Sequence, residues 1–406
     1  MKIWIKLLAG SLLGVVAGIF IPAHAQAFLD QLSGLLVGIG RYVLFPFVFF
    51  SLGIGTSELR QEKRLGRVYL SGLKYLVLST AALVILGTLS VLVFPPERIP
   101  ITVESEKAFA PVNIMEGLRS IFPRNLFLVL GGSGDFLFPL MVLAFLLGVN
   151  MDFDRQLTRP IVQIFDSLSR IFYHLNSLVV ELFGIAMIVI AAALMVRITH
   201  ADLAMYKQIL IILAADTVVV VFGVFPLCLY LLGVRDRPFR WIYAALGPAI
   251  AGLFTGDAYL SMGVLTKHGK ENLGVPRMVG SAVYPLFAVV GRAGTAMVAG
   301  VSFILILRSY SSLEITFLQT LWVMLFSLLV SFVLGAVPGN GAFFAVFMLC
   351  SLYGKGLQEG YLILKAIAPF LVSLGAFIDV FSSALASLLV AREENVWTEV
   401  ETASFI

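Results

Sequence analysis

Charge is scarce in this chain. Asp, Glu, Lys and Arg make up 13% of its 406 residues, about half the share of a soluble domain. A water-solvated globule is thereby excluded, and a formal net charge of only +4 leaves no basic stripe for nucleic acid. Cysteine is scarcer still. Cys228 and Cys350 both lie in apolar surroundings, so neither a disulfide framework nor a thiolate metal site is expected. The histidines, His24, His174, His200 and His268, are scattered and form no cluster. With no nucleophile beside a base and no phosphate-binding loop, an enzyme is not expected, and no catalytic residue, metal or cofactor is assigned.

What is abundant is apolar surface. Hydrophobic residues make up 60% of the chain and the mean hydropathy is +0.99, which together imply an integral membrane protein. At about 20 apolar residues per span, the length allows roughly eight to twelve crossings. Apolar stretches recur at Ile5 to Ile21, Leu32 to Thr56, Val68 to Phe94, Phe136 to Val149, Ile161 to Val196 and Ile209 to Val234. The amino-terminal stretch has the basic start and apolar core of a signal peptide, with His24-Ala25-Gln26 as a weak cleavage-like site. A retained first helix is the expectation, since the later spans need an orientation anchor. Between Pro95 and Arg124 runs the longest polar segment, with Glu97, Glu104 and Glu106, expected to be a surface excursion. Basic residues fall on one side of the membrane: Lys2 and Lys6, then Arg60, Lys63, Arg64 and Arg67, then Arg235, Arg237 and Arg240, then Lys267, Lys270 and Arg277. That side is expected to be cytoplasmic.

The second half is interrupted where the first is continuous. From Trp241 to Leu265 the apolar run is broken by Gly252, Thr255, Gly256, Asp257 and Ser261, and from Phe317 to Leu352 by Gly335, Pro338, Gly339, Asn340 and Gly341. Neither can cross lipid as one helix, because proline and clustered glycines free backbone groups that hydrocarbon cannot satisfy. Re-entrant helical hairpins are the expected solution. Each broken segment is followed by an uninterrupted apolar span with one central charge, Arg292 in the first case and Asp379 in the second. Asp257 and Arg292 are 35 residues apart, Asn340 and Asp379 39. Paired interrupted segments in corresponding positions point to a transporter site built from an inverted repeat. An intramembrane arginine costs several kcal/mol without a carboxylate, a carbonyl or water beside it, so Arg292 requires a partner.

At this point the chain resembles the dicarboxylate/amino acid:cation symporter family. The resemblance runs through Leu44-Phe45-Pro46-Phe47-Val48-Phe49-Phe50-Ser51, Leu65-Gly66-Arg67-Val68, Pro123-Arg124-Asn125-Leu126-Phe127 and most clearly Ala336-Val337-Pro338-Gly339-Asn340-Gly341. It implies an all-α integral membrane protein with eight transmembrane helices and two re-entrant hairpins, assembled as a homotrimer in the lipid bilayer of the cell inner (cytoplasmic) membrane. It also implies an elevator mechanism, in which a transport domain slides against a static scaffold. Residues 1–234 would supply mainly scaffold and trimerisation helices, the third and sixth spans joining the transport domain, and residues 235–406 the hairpins with the seventh and eighth helices.

The family's functional residues are poorly matched. Where the family carries NMDGT, with oxygen ligands to sodium, this chain has Gly291-Arg292-Ala293-Gly294-Thr295; where its eighth helix binds substrate and sodium, Val372, Gly375, Asp379 and Ser383 stand here. Sodium must exchange its hydration shell for several oxygens, which Gly291, Ala293 and Ser383 do not replace. The expected function is therefore secondary active transport of a small organic solute, of the amino acid or dicarboxylate class, independent of sodium or coupled to protons. An anion channel and a non-transporting homologue locked by an intramembrane ion pair are the alternatives. Candidate substrate-binding residues are Asp257, Tyr259, Ser261, Arg292, Thr295, Gly339, Asn340, Asp379 and Ser383. Several have a plain structural reading beside the functional one. Arg292 and Asp379 could pair only to fix helix register, Asp257 could cap a helix, and Asn340 could take a left-handed turn. Glu181 and Asp216 could carry protons or face an interface, and Arg41 reads as a helix-end or trimer-contact residue.

Overall fold

The computed structural model describes residues 2–100, 109, 119–132, 134–234, 237–311 and 314–406. Glu104, Glu106 and Arg235 lie outside the described residues. Among those described there are helices and no strands. In chain order they are α1 (Ile3–Phe20), α2 (Gln26–Arg41), α3 (Leu44–Gln61), α4 (Leu65–Val93), α5 (Leu126–Leu130), α6 (Phe138–Asn150), α7 (Arg155–Thr199), α8 (Lys207–Val219) and α9 (Phe225–Leu231). There follow α10 (Pro238–Ala244), α11 (Leu246–Thr255), α12 (Ala258–Glu271), α13 (Arg277–Val289), α14 (Ala293–Tyr310), α15 (Phe317–Ser331), α16 (Gly341–Tyr353) and α17 (Ala368–Glu393).

Seven helical segments among the described residues are long and apolar enough to cross a bilayer, namely Ile3–Phe20, Ala23–Gln61, Leu65–Val93, Gln156–Thr199, Ala204–Leu231, Arg277–Tyr310 and Gly360–Glu393. The apolar stretch at Phe136 to Val149 becomes α6, whose 13 residues rise only about 20 Å, short of the ~30 Å hydrocarbon core. The two interrupted stretches become pairs of short helices, α11 with α12 and α15 with α16. Helix α11 ends where Gly256 takes a left-handed backbone (φ 61°), a conformation that glycine adopts at no steric cost. Helix α15 begins with a capping box, in which Gln319 N donates to Thr316 Oγ1 and Thr316 N to Gln319 Oε1. It ends before the proline and glycines of the second tip.

One expectation fails here. The span carrying Arg292 is not continuous, for α13 stops at Val289 and α14 starts at Ala293. Pro285 in the last turns of α13 and Gly291 at the gap supply the sequence reason.

Small residues set the packing of the first helix. Gly10, Gly14 and Gly18, four residues apart, press α1 against α7 so closely that a β-carbon at Gly10 would lie 2.0 Å from the Gly184 carbonyl oxygen, and one at Gly14 2.2 Å from that of Ile188. Such stripes let membrane helices gain dispersion contact where no hydrophobic effect drives them together. The outer helices keep large apolar side chains exposed, as with Leu13, Phe20, Leu182 and Ile185, which suits a hydrocarbon solvent. Helix α14 is the opposite, buried from Ala293 to Leu307 among α4, α15, α16 and α17. Polar clamps lie among the basic residues of the expected cytoplasmic side: Arg277 bonds Glu58 and Asp166 at 2.6 and 2.7 Å, and Lys267 bonds Glu181 at 2.6 Å.

Candidate functional site

The break between α13 and α14 leaves backbone groups on both sides without helical partners. On the α14 side the first amides point at Asp379 of α17. Its Oδ1 accepts from Gly294 N at 2.7 Å and from Thr295 N at 3.0 Å, and its Oδ2 from the Thr295 hydroxyl at 2.5 Å. A carboxylate from another helix thus caps α14, at the end where the helix dipole favours negative charge. On the α13 side Arg292 Nε donates to the Ala288 carbonyl at 3.1 Å. Its Nη1 reaches the second tip, donating to the carbonyls of Val337 at 3.1 Å and Pro338 at 3.4 Å.

Arg292 is therefore partnered, but not by Asp379. No salt bridge joins them among the described residues, although both border the same small cavity with Ser383. The physical reason is competition for the carboxylate, whose two oxygens are taken by three donors of α14. Arg292 is buried to 2% exposure and holds backbone carbonyls instead. The cavity beside it measures about 20 Å³, enough for one water molecule and no solute.

The two tips touch directly, with Ala258 N donating to the Pro338 carbonyl at 3.1 Å. Asp257 is the N-cap of α12, its Oδ1 accepting from Leu260 N at 2.8 Å. Its other oxygen contacts the guanidinium of Arg41, so the capping role and a charge pairing coexist. The Tyr259 hydroxyl donates to the Gly335 carbonyl at 2.5 Å and accepts from Leu137 N at 3.2 Å, tying the first hairpin to the second and to the start of α6. Ser261 and Ser383 donate within their own helices, to the carbonyls of Asp257 (2.5 Å) and Asp379 (2.8 Å). Gly339 lies beside Arg41 and Asp257. Asn340 makes no capping bond and has φ −143°, not a left-handed turn. At the glycine that follows, Gly341, a β-carbon would crowd Arg292 Nη1.

The structure thus gathers the candidates in two groups, Arg292, Thr295, Asp379 and Ser383 around the break, and Asp257, Tyr259, Ser261, Gly339 and Asn340 at the tips. Glu181 is engaged by Lys267, and Asp216 accepts from Ser90 Oγ at 2.6 Å. Sequence reasoning takes Arg41 only as a helix-end or trimer-contact residue and does not single out Asp135; the structure brings their side chains to 3.6 Å next to the first tip. The signal for Arg41 was present, since it is a charge inside the span Ala23–Gln61 just as Arg292 is inside its own.

Comparison with known proteins accords with this architecture. The family model described as the sodium:dicarboxylate symporter family matches residues 3–393. A proton/sodium-glutamate symport protein of Geobacillus stearothermophilus is 19% identical over 415 residues, covering 99% of this chain and 96% of its own. A C4-dicarboxylate transport protein of Anaeromyxobacter sp. (strain K) is 22% identical over 404 residues (97% and 90%), and C4-dicarboxylate transport protein 3 of Ralstonia nicotianae 23% over 412 (96% and 88%). With nearly the whole chain matched and the helical membrane architecture in place, this protein belongs to the sodium:dicarboxylate symporter family.

Proposed function

We propose that the chain is a secondary active transporter of a small organic solute, of the amino acid or dicarboxylate class, that works without sodium. Arg292 serves as a tethered cation in place of a coupling ion. One observation carries this reading: the guanidinium donates to the Ala288, Val337 and Pro338 carbonyls, the kind of oxygen cluster that would otherwise attract a metal cation. Arginine does not lose its proton in proteins, so the positive charge stays whatever the ionic conditions. The relatives' names, for glutamate and C4-dicarboxylate transport, support the solute class.

In this reading residues 235–406, with the third and sixth spans, form a transport domain that moves as an elevator against a scaffold drawn from residues 1–234. The chain works as a homotrimer in the cytoplasmic membrane. Solute enters when the tips around Asp257, Tyr259, Ser261, Gly339 and Asn340 part, with Arg292, Thr295, Asp379 and Ser383 behind them. Uptake into proteoliposomes tests it. Accumulation of an amino acid or dicarboxylate with potassium or choline replacing sodium on both sides is the expected result; uptake that needs a sodium gradient would sink it. The hydrogen bond between the tips favours a second reading, a locked homologue, whose signature is a disulfide across engineered tip cysteines forming at full yield in every condition.

A further inference from the structure

We propose that residues 396–406 form a releasable strap that latches the first hairpin shut from the end away from its tip, and so governs access to the cavity beside Arg292. One leg of that hairpin is α10 with α11, the other α12. The strap is independent of which solute is carried.

The segment after α17 binds both legs at their base. Just past α12, Trp397 Nε1 donates to the Leu273 carbonyl at 2.9 Å, and Thr398 gives both its amide and its hydroxyl to the Gly274 carbonyl at 3.1 Å. Gly274 is shaped to receive it. Its φ is +67°, and a β-carbon there would lie 1.8 Å from the Thr398 carbonyl oxygen, so a side chain is excluded on both counts. On the other leg the Phe405 ring, 2% exposed, stacks on Tyr243 of α10 with centroids 5.9 Å apart. Asn272 joins the two legs and the strap: its Nδ2 donates to the Ala244 carbonyl at 3.1 Å, and its Oδ1 accepts from Ile406 N at 3.0 Å.

Between these anchors two arginines are held by aromatic rings. Arg392, near the end of α17, lies 4.2 Å from the Trp397 ring centroid and 5.4 Å from that of Trp241. Arg240 lies 5.1 Å from Trp241 and 5.6 Å from Phe405. Rings and guanidinium groups thus alternate, with the two strap residues at the ends of the row. Arg240 Nε and Nη2 are buried with no hydrogen-bond acceptor among the described residues, so the ring faces compensate that charge, and one of the two rings belongs to the strap.

The strap is built to peel. Residues 398, 399 and 401–404 are exposed between the Trp397 and Phe405 anchors, and segments with few buried contacts open locally at low cost. Its release frees α12. Ala258, Met262 and Leu265 of that helix form one wall of the cavity of about 20 Å³ that Arg292, Asp379 and Ser383 border. While the base of the hairpin is tied to α17 through the strap, that wall stays in place and the cavity admits no solute.

Hydrogen exchange and cysteine labelling of the purified full-length chain test this. In the double variant Trp397→Ala, Phe405→Ala, exchange is expected to rise by at least about tenfold in α10 and at residues 272–275, while α1, α7 and the second tip keep native rates. Leu265, 2% exposed in the closed hairpin, reports on the wall. In a background of Cys228→Ser and Cys350→Ser, Leu265→Cys should react with a maleimide at least about fivefold faster once the two aromatic anchors are removed. Gly274→Ala, which expels Thr398 from its seat and leaves the strap itself intact, should give the same pattern. If the double variant does not purify as a monodisperse protein, Trp397→Phe replaces it; the ring stays, the bond to Leu273 goes, and exchange at residues 272–275 should still rise by about threefold or more. Native exchange in these variants, or a rise spread evenly over the chain, would overturn the strap. So would faster exchange at the base with native labelling of Leu265→Cys, for the segment would then cover the hairpin without holding it. A chain that fails to transport in the uptake assay refutes the function proposed above and leaves the strap standing.

Discussion

Asp379 and Arg292 serve opposite ends of one helix break rather than each other. The carboxylate caps α14 through Gly294 N and Thr295 N, and the guanidinium binds Ala288 of α13 and the second hairpin tip. A buried charge in a membrane protein need not find an opposite charge; oriented backbone dipoles meet part of it here, while Arg292 Nη2 has no partner among the described residues.

Replacement of Asp379 by alanine strands two amides and the Thr295 hydroxyl in a site buried to 7% exposure. Each unsatisfied buried donor costs about 1–3 kcal/mol, so Asp379→Ala should lower the Tm in detergent by several degrees. Asp379→Asn keeps one acceptor oxygen without the charge and should lose less. If Asp379→Asn proved as damaging as alanine, the charge itself, and not the cap, would be what the site requires.

Thr295→Val separates the hydroxyl from the amides. It removes the 2.5 Å bond to Asp379 Oδ2 and leaves both amide bonds, at a cost of about 1.5–3 kcal/mol for a hydrogen bond to a charged acceptor. The expected Tm lies between those of the native chain and Asp379→Ala. A Tm at the level of Asp379→Ala would mean that the hydroxyl, not the amide pair, carries the cap.

Much of this fold is legible in the sequence and the site is less so, for reasons the residues make plain. Hydropathy predicts the long helices, and the glycines and prolines around Gly256 and Pro338 predict the two tips. The close approach of α1 to α7 at Gly10, Gly14 and Gly18 is not read from the sequence, since the spacing of glycines does not name the helix they face. Nor are the partners of the charges. Sequence reading pairs Arg292 with Asp379 because both are charged, but their actual partners are peptide groups, which every residue has and no letter marks. Arg41 and Asp257 are 216 positions apart, and nothing local in either stretch announces the other.

Tyr259 ties the hairpins together, so Tyr259→Phe should loosen them without emptying the core. The ring stays, while the bonds to Gly335 and Leu137 go, leaving a buried carbonyl and a buried amide unsatisfied for about 1–3 kcal/mol each. Hydrogen exchange is expected to rise selectively in the second tip and at the start of α6. Exchange that rises uniformly over the chain, or not at all, would contradict that linking role.

The last prediction places a methyl group against the tethered cation. A β-carbon at Gly341, the first residue of α16, would lie 2.4 Å from Arg292 Nη1, well inside contact distance, and the nearest atom belongs to the end of a long side chain. In Gly341→Ala the guanidinium must therefore retreat from the Val337 and Pro338 carbonyls, or the tip must move away from α13, with a cost of about 1–3 kcal/mol for overpacking. Either way a pair of carbonyl oxygens loses its cation. If Arg292 stands in for a coupling ion, the vacated oxygens should acquire an affinity for monovalent cations, and Gly341→Ala should show a sodium- or lithium-dependent rise in Tm that the native chain lacks. Arg292→Met removes the cation without crowding the tip and should show the same salt response more strongly. Loss of stability in both variants with no response to either ion would leave Arg292 as a hydrogen-bonding brace for the second tip and remove the reason to regard it as a substitute cation.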